Sequence, residues 1–229
     1  MPFASEGLCR SWHSGSGARV TYAVKEIFLT LQGEGMQAGM KAVFLRFAGC
    51  NLWSGREEDR ATAICQFCDT DFVGTNGQNG GKFKDADALA SKVAEIWGTG
   101  ISDRLIVITG GEPMLQLDAA LIDALHAKGF RIAVESNGTI PAPDGIDWLC
   151  ISPKAGSNTI QRSGDELKLV WPQPGSDWQE MERWNFQNFL IQPMDGPTLS
   201  NNMKASVDFV MDHPKWRLSV QSHKWLGID

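Results

Sequence analysis

The sequence predicts an α/β fold, an incomplete (β/α) TIM-like barrel with fewer helices than strands. Three observations carry this reading. Strand-like and helix-like segments alternate along the chain, which implies a parallel sheet covered on both faces. Residues 104–109 (RLIVIT) are almost continuously apolar, the pattern of a strand buried on both sides. Several connections between residues 128 and 190 are too short to hold a full helix, so the barrel cannot have one helix per strand.

The elements follow in order. Patterned sequence begins near Val20. Residues 23–31 are rich in Ile, Phe, Leu and Thr and run into Gln32-Gly33-Glu34-Gly35, a strand closed by a turn. Residues 42–47 (AVFLRF) form a second strand, ending at Ala48-Gly49-Cys50. The Gly/Asn stretch 74–81 is a loop. After it Asp85 caps a helix with Leu89, Val93 and Ile96/Trp97 at helical spacing. The strand 104–109 comes next, then an amphipathic helix over 117–128 through Leu117, Leu121 and Leu125, with Gly129 behind it. Strands follow at 131–135, 148–151 and 167–171. Two more, at 188–191 and 216–221, flank a helix near 203–211 whose buried face reads as Met203, Val207 and Val210/Met211. Residues 1–19 lack the apolar segment of a secretory signal, and their small polar residues predict a flexible extension before a domain over 20–229.

Composition narrows the function classes. The 229 residues suffice for one large domain, and 42% hydrophobic with 21% charged residues is a globular balance. A net charge of −6 argues against non-specific nucleic-acid binding. No apolar run approaches the roughly 20 residues of a membrane span. The 5 Cys are too few and too unevenly placed for a disulfide framework, which points to a reducing, cytoplasmic compartment.

Three of those cysteines, Cys50, Cys65 and Cys68, are spaced C-x14-C-x2-C. A C-x2-C turn can put two thiolates on one metal, in zinc and iron–sulfur sites alike. A structural zinc site wants a fourth ligand, and His126, His213 and His223 are all remote in sequence. Three thiolates also suit a [4Fe–4S] cluster with one iron left open. Cys150, in an apolar strand, reads as a small buried hydrophobe. Cys9 and His13 read as bystanders.

Here the sequence resembles the radical S-adenosylmethionine (SAM) enzymes. Their three-cysteine loop follows the first barrel strand, with an aromatic residue before the last Cys, the place Phe67 takes; the first gap is enlarged to residues 51–64. Gly110-Gly111-Glu112-Pro113 follows RLIVIT, where that superfamily keeps a GGEP segment for the SAM amino group. Within it, residues 20–229 are similar to the 7-carboxy-7-deazaguanine synthase family. The similarity runs through FLTLQGEG (28–35), FLRFAGCNLW (44–53), CQFCDTDF (65–72), TGGEPMLQ (109–116), ESNG (135–138), SPK (152–154) and QPMDG (192–196). Some members of that family share the enlarged first gap.

The resemblance implies a radical SAM-type barrel and a ring contraction of 6-carboxy-5,6,7,8-tetrahydropterin to 7-carboxy-7-deazaguanine with loss of ammonia. It implies a [4Fe–4S] cluster on Cys50, Cys65 and Cys68, and SAM against Phe67, Gly111 and Glu112. Glu135 and Asn137 would hold the SAM ribose, because their oxygens accept hydroxyl protons. Ser152, Pro153, Lys154, Gln192, Pro193, Met194 and Asp195 correspond to further SAM-contacting loops. Leu31, Gln32, Gly33, Glu34, Thr109 and the final Asp229 correspond to the substrate site. Arg46, in an apolar strand, needs a partner, either the substrate carboxylate or an internal carboxylate such as Glu34. Thr70 corresponds to a Mg²⁺ ligand, and His223 and Lys224 are candidates for proton transfer. A homodimer and an electron donor such as flavodoxin or ferredoxin are implied as partners. Two other readings compete: a glycyl-radical-enzyme activase, and a non-catalytic zinc or iron–sulfur electron-transfer module.

Overall fold

A computed structural model describes residues 21–100 and 102–228. The expected N-terminal extension, with Cys9 and His13, and the expected substrate contact Asp229 lie outside the described residues. Among those described, nine strands form one sheet: β1 (Tyr22–Leu31), β2 (Lys41–Phe47), β3 (Gly81–Phe83), β4 (Leu105–Gly110), β5 (Arg131–Ser136), β6 (Trp148–Ile151), β7 (Ser163–Trp171), β8 (Asn185–Pro193) and β9 (Trp216–Leu218). Their spatial order is β3-β1-β2-β4-β5-β6-β7-β8-β9. Strand β1 is antiparallel to β2 and β3, and every neighbouring pair from β2 to β9 is parallel. The ends of this order do not pair, so the barrel is open.

The helices are α1 (Ala86–Trp97), α2 (Ala119–Ala127), the four-residue α3 (Trp178–Met181), α4 (Leu199–Asp212) and α5 (Ser222–Leu226). The connections 137–147 and 152–162 hold no helix, which is the predicted shortfall. Asp85 caps α1 as expected, accepting from the Ala88 N–H at 2.8 Å. The helix read over 117–128 starts later, at Ala119. Pro113–Leu115 forms a separate 3₁₀ turn, and Asp118 caps the helix by accepting from the Leu121 N–H.

Alternation along each strand sorts side chains into two populations. Val43, Leu45, Ile106, Ile108, Ile132, Val134, Leu167 and Leu169 point outward and form the main core with Leu89, Val93, Leu121 and Leu125 of the helices. The intervening positions face the barrel interior. At its floor Ala42, Leu105, Val107 and Ala133 make a separate apolar plug with Phe44 and Trp148. Toward the C-terminal strand ends the same faces become polar, through Arg46, Thr109, Glu135, Glu166, Lys168 and Gln192. The fold thus draws its apolar stability from outside the barrel and leaves the upper interior to charged groups.

Helix α4 packs Val210 against the core as expected, but its buried face is otherwise rotated from the one expected. Asn202, Ser206 and Phe209 are buried, while Val207 and Met211 are 41% and 78% exposed. Phe209 packs within ring contact of Trp171, Trp178 and Trp216. Asn202 Nδ2 donates to the Met194 carbonyl at 2.8 Å, and Ser206 Oγ donates to the Asn202 carbonyl. Polar anchors set the rotation, and hydrophobic periodicity cannot register them. Strand β9 also stops at Leu218 rather than running to 221, because the Ser219 hydroxyl turns inward to donate to Gln192 Oε1 and accept from the Gly35 N–H.

Phe209→Ala should therefore cost about 3–5 kcal/mol in denaturant unfolding, whereas Met211→Gln should change stability by no more than about 0.5 kcal/mol.

Candidate active site

The C-terminal ends of the parallel strands open into a cleft with an empty volume of ≈ 930 Å³, its mouth included. Cys50, Cys65 and Cys68 all line it. The residues between Cys50 and Cys65 fold around a 3₁₀ turn, Glu57–Thr62. Arg60 on that turn stacks over Trp53 at 4.0 Å and donates to the Gln66 and Cys68 carbonyls at 2.9 and 3.0 Å. Glu57 holds the guanidinium from its other side. The enlarged gap is thus a clamp on the C-x2-C turn.

The thiols differ electrostatically. A hydrogen bond from Cys65 draws the Cys68 pKa down to about 6 against the opposing effect of burial, and the same bond raises that of Cys65. Burial raises that of Cys50. The half-buried Lys154 ammonium faces Cys65 and Cys68 and favours both thiolates. Among the described residues no three His, Cys, Asp or Glu side chains converge on a single ion. Three thiols spread round one cleft wall beside a cation, with no histidine among them, fit a multi-iron cluster with an open position.

Phe67, Gly111, Glu135, Asn137, Ser152, Lys154, Gln192, Pro193, Met194 and Asp195 also line the cleft. At Gly111 a Cβ would collide with the Gly49 carbonyl and Cys50 Cβ, so glycine lets this backbone lie directly on the cysteine loop. Glu112 lies elsewhere. It is fully buried, and its carboxylate accepts from the Met114 and Asn137 N–H groups and the Ser136 hydroxyl at 2.8–2.9 Å. It therefore ties the GGEP segment to ESNG rather than facing the cleft. Pro153 is likewise buried off the cleft, its carbonyl accepting from Gln173 Nε2. Lys154 Nζ donates to the Ser152 carbonyl and hydroxyl at 2.6 and 2.7 Å.

At the other end Thr109 and Glu34 line the cleft. Glu34 pairs with Lys168 Nζ at 2.5 Å, and the same ammonium reaches Glu135 at 3.1 Å. Gln221 donates to the second Glu34 oxygen at 2.8 Å. Burial alone would raise the Glu34 pKa, but the Lys168 charge and hydrogen bonds from Lys168, Gln221 and Gln192 bring it to about 2. Burial works against the Lys168 charge, and Glu135 and Glu34 overcome it. Gln32 sits beneath this pair and donates to Glu135 at 3.0 Å. Gly33 packs on the His223 ring, and Leu31 stays on the outer surface.

Arg46 takes Glu26, not Glu34, as its internal partner, with Nε donating at 2.8 Å. The antiparallel register sets Glu26 directly across from it. Both line an adjoining polar groove of ≈ 570 Å³ with His223 and Lys224, and this groove meets the cleft at Asp69, Thr70 and Gln221. Arg46 and Thr109 share a rung of β2 and β4, so the two remain neighbours. Lys224 bridges Asp69 and Asp195 at 2.9 and 2.5 Å. Burial opposes its charge, but the two aspartates raise its pKa. Two carboxylates hold this lysine protonated, and through them it ties the cysteine loop to the end of β8.

Sequence reasoning missed Lys168, Gln221, Glu166 and Arg60. Lys168 carried a usable signal, a cation at an alternate position of the apolar run ELKLV, the same argument that singled out Arg46. Gln221 and Arg60 gave none.

Comparison with known proteins places these features in a family. Residues 60–165 match the Radical SAM superfamily. The 7-carboxy-7-deazaguanine synthase of Burkholderia multivorans is 60% identical over 209 residues, spanning 91% of this chain and 100% of its own length. That of Caulobacter vibrioides is 61% identical over the same spans. The crystal structure of QueE from Escherichia coli superposes with a TM-score of 0.64 at 23% identity, covering 89% of this chain and 95% of that one, and so shares the fold.

Two outcomes follow from the geometry. Arg60→Met should release the C-x2-C turn and make a reconstituted cluster lose iron to a chelator roughly tenfold faster, read by absorbance. The Glu34 pKa is lowered in the folded state, so its stabilisation is complete above about 4.5 and is lost as pH falls through about 2. The stability gap between the native protein and Glu34→Gln should therefore narrow on acidification across that window, measured by urea unfolding.

Proposed function

The chain belongs to the 7-carboxy-7-deazaguanine synthase family of the radical SAM superfamily, and on that premise we propose how its cleft carries out the family's reaction. The substrate is 6-carboxy-5,6,7,8-tetrahydropterin, and the products are 7-carboxy-7-deazaguanine and ammonia. One observation supports the reading most strongly: three thiols, the Gly111 backbone, Glu135, Asn137, Lys154, the QPMD strand end and Glu34 all face one cleft.

Cys50, Cys65 and Cys68 would hold the [4Fe–4S] cluster. When bound, the cluster and SAM supply the radical that starts the reaction by abstracting hydrogen. The chain's own residues position the reactants. Gly111 admits its backbone to the SAM methionine end, and Glu135 accepts from ribose hydroxyls, while Asn137 lines the same wall with its own amide committed to Thr139 and Asn51. Gln192, Pro193, Met194 and Asp195 close the opposite wall. Glu34, already ionised by Lys168, accepts from the donor edge of an aminopyrimidinone. Arg46 spends only its Nε on Glu26 among the described residues, leaving its terminal nitrogens for the substrate carboxylate. Thr70, where groove and cleft meet, would hold a Mg²⁺ ion that takes its other oxygens from substrate and water.

A flavodoxin- or ferredoxin-type protein supplies the electron in this reading, and the compartment is the reducing cytoplasm. The working unit is a homodimer, supported by exposed Leu29, Leu31, Met36, Met40 and Leu218. The catalytic domain spans 20–229. No described helix is long and apolar enough to cross a membrane.

The test is anaerobic reconstitution with iron and sulfide, then reduction with SAM and the carboxy-tetrahydropterin. A brown protein that forms 7-carboxy-7-deazaguanine is expected; a colourless, zinc-loaded protein contradicts the enzyme reading, and SAM cleavage without that product contradicts the substrate. Cys50→Ala should abolish cluster assembly, and Cys9→Ala should leave it intact. Arg46→Met should lower kcat/KM for the carboxylated pterin roughly 10- to 100-fold, the scale of a lost hydrogen bond to a charged group.

A further inference from the structure

Ser219 lies directly after β9, where its N–H donates to the Ile191 carbonyl at 2.8 Å. Its buried side chain stands between β8 and the turn that carries Glu34. There the hydroxyl accepts from the Gly35 N–H and donates to Gln192 Oε1, each at 2.9 Å. Gln192 pairs with Val170 across β7 and β8, is 5% exposed, and lines the cleft. Nothing in the reaction as described uses Ser219, and Gln192 serves there only as part of a wall.

The two hydroxyl bonds decide which way the Gln192 amide points. A hydroxyl has one proton to give, and a backbone N–H can only donate. With the Gly35 N–H directed at the Ser219 oxygen, the Ser219 proton goes to Gln192, and only the carbonyl end of that amide can receive it. The NH₂ end is thereby turned toward Glu34, whose carboxylate draws a hydrogen bond from it. Reversal would set the amide carbonyl against the Glu34 carboxylate and the amide NH₂ against the Ser219 hydroxyl. Gln192 is thus a third brace of Glu34, reaching it from β8. Lys168 on β7 holds one carboxylate oxygen, and Gln221 holds the other. The turn itself is anchored without Ser219. The Met36 N–H donates to Glu166 at 3.0 Å, and the Ser222 N–H and hydroxyl both donate to the Gly33 carbonyl at 3.0 Å. What Ser219 adds is the orientation of the amide.

We propose that Ser219 is a positioning residue: it fixes the Gln192 amide with its NH₂ toward Glu34, and through that amide it sets the Glu34 carboxylate for the pterin. An unlocked amide can present either end, and its carbonyl would repel the carboxylate that is to receive the substrate's N–H groups. The link to the pterin rests on the ring-contraction reading above.

The experiment is a double-mutant cycle on reconstituted holoenzyme with Ser219→Ala, Gln192→Met and the double variant, at saturating SAM. Ser219→Ala should raise KM for the carboxy-tetrahydropterin about five- to tenfold and leave kcat within about twofold, the pattern of a lost binding interaction. In the Gln192→Met background the same substitution should change KM by less than about twofold, because the amide through which Ser219 acts is gone. An unchanged KM in Ser219→Ala, or an equal rise in both backgrounds, overturns the proposal. Should Ser219→Ala fail to fold, Ser219→Cys, of similar shape and a poor donor, takes its place in the cycle. The same cycle read by urea unfolding should show a coupling of at least about threefold in the unfolding constant, and purely additive losses there overturn the lock whatever the substrate is. A native enzyme that makes no deazaguanine would refute the ring contraction, and the unfolding cycle separates that result from failure of the lock.

Discussion

One ammonium group holds the site together. Lys168 Nζ lies between Glu34, on the turn after the antiparallel strand β1, and Glu135, at the end of β5. Burying each of these ions costs several kcal/mol, and only close pairing offsets it. The three charges therefore stand or fall as a unit. With Lys168 in place, two carboxylates from distant parts of the chain stay ionised and fixed on the cleft wall. They carry one more negative charge than the lysine neutralises, which suits ligand groups that donate hydrogen bonds, N–H at Glu34 and O–H at Glu135. The same group divides the cleft from a smaller cavity lined by Glu166 and Gln37.

That arrangement is possible because the apolar core lies elsewhere. The outward faces of the strands pack on α1, α2 and α4, and the inward faces need only a small plug at the barrel floor. The upper interior can then hold charge without emptying the core. Missing crossover helices between β5 and β7 leave loops at both ends of these strands, and the upper ones carry ESNG and SPK. The enlarged cysteine gap supplies its own support through Arg60, whose contacts reach the carbonyls flanking the last cysteine.

Much of this was legible in the sequence. The strands, the cap at Asp85 and the cysteine loop follow from local pattern, and every strand end that carries a motif faces the cleft. What failed to show depends on geometry between distant segments. Arg46 advertised its need for a partner, yet only the β1–β2 register identifies Glu26. Glu112 looked like a cleft residue because its motif is, but its carboxylate is consumed by three donors from two loops. Lys224 read as a candidate for proton transfer, and only the fold shows that it bridges two aspartates far apart in sequence. The α4 face was misread because Asn202 and Ser206 bury polar groups that satisfy one another and the end of β8. Lys168 could have been found by the argument applied to Arg46.

The central claim is that Lys168 and Glu34 depend on each other. A double-mutant cycle with Lys168→Met, Glu34→Gln and the double variant, read by urea unfolding, tests it most directly. Breaking a buried pair from either side should cost about 3–5 kcal/mol, and the double variant should recover much of that loss, giving a coupling of about 2–3 kcal/mol. Losses that simply add would contradict the account, because they would mean that neither charge depends on the other.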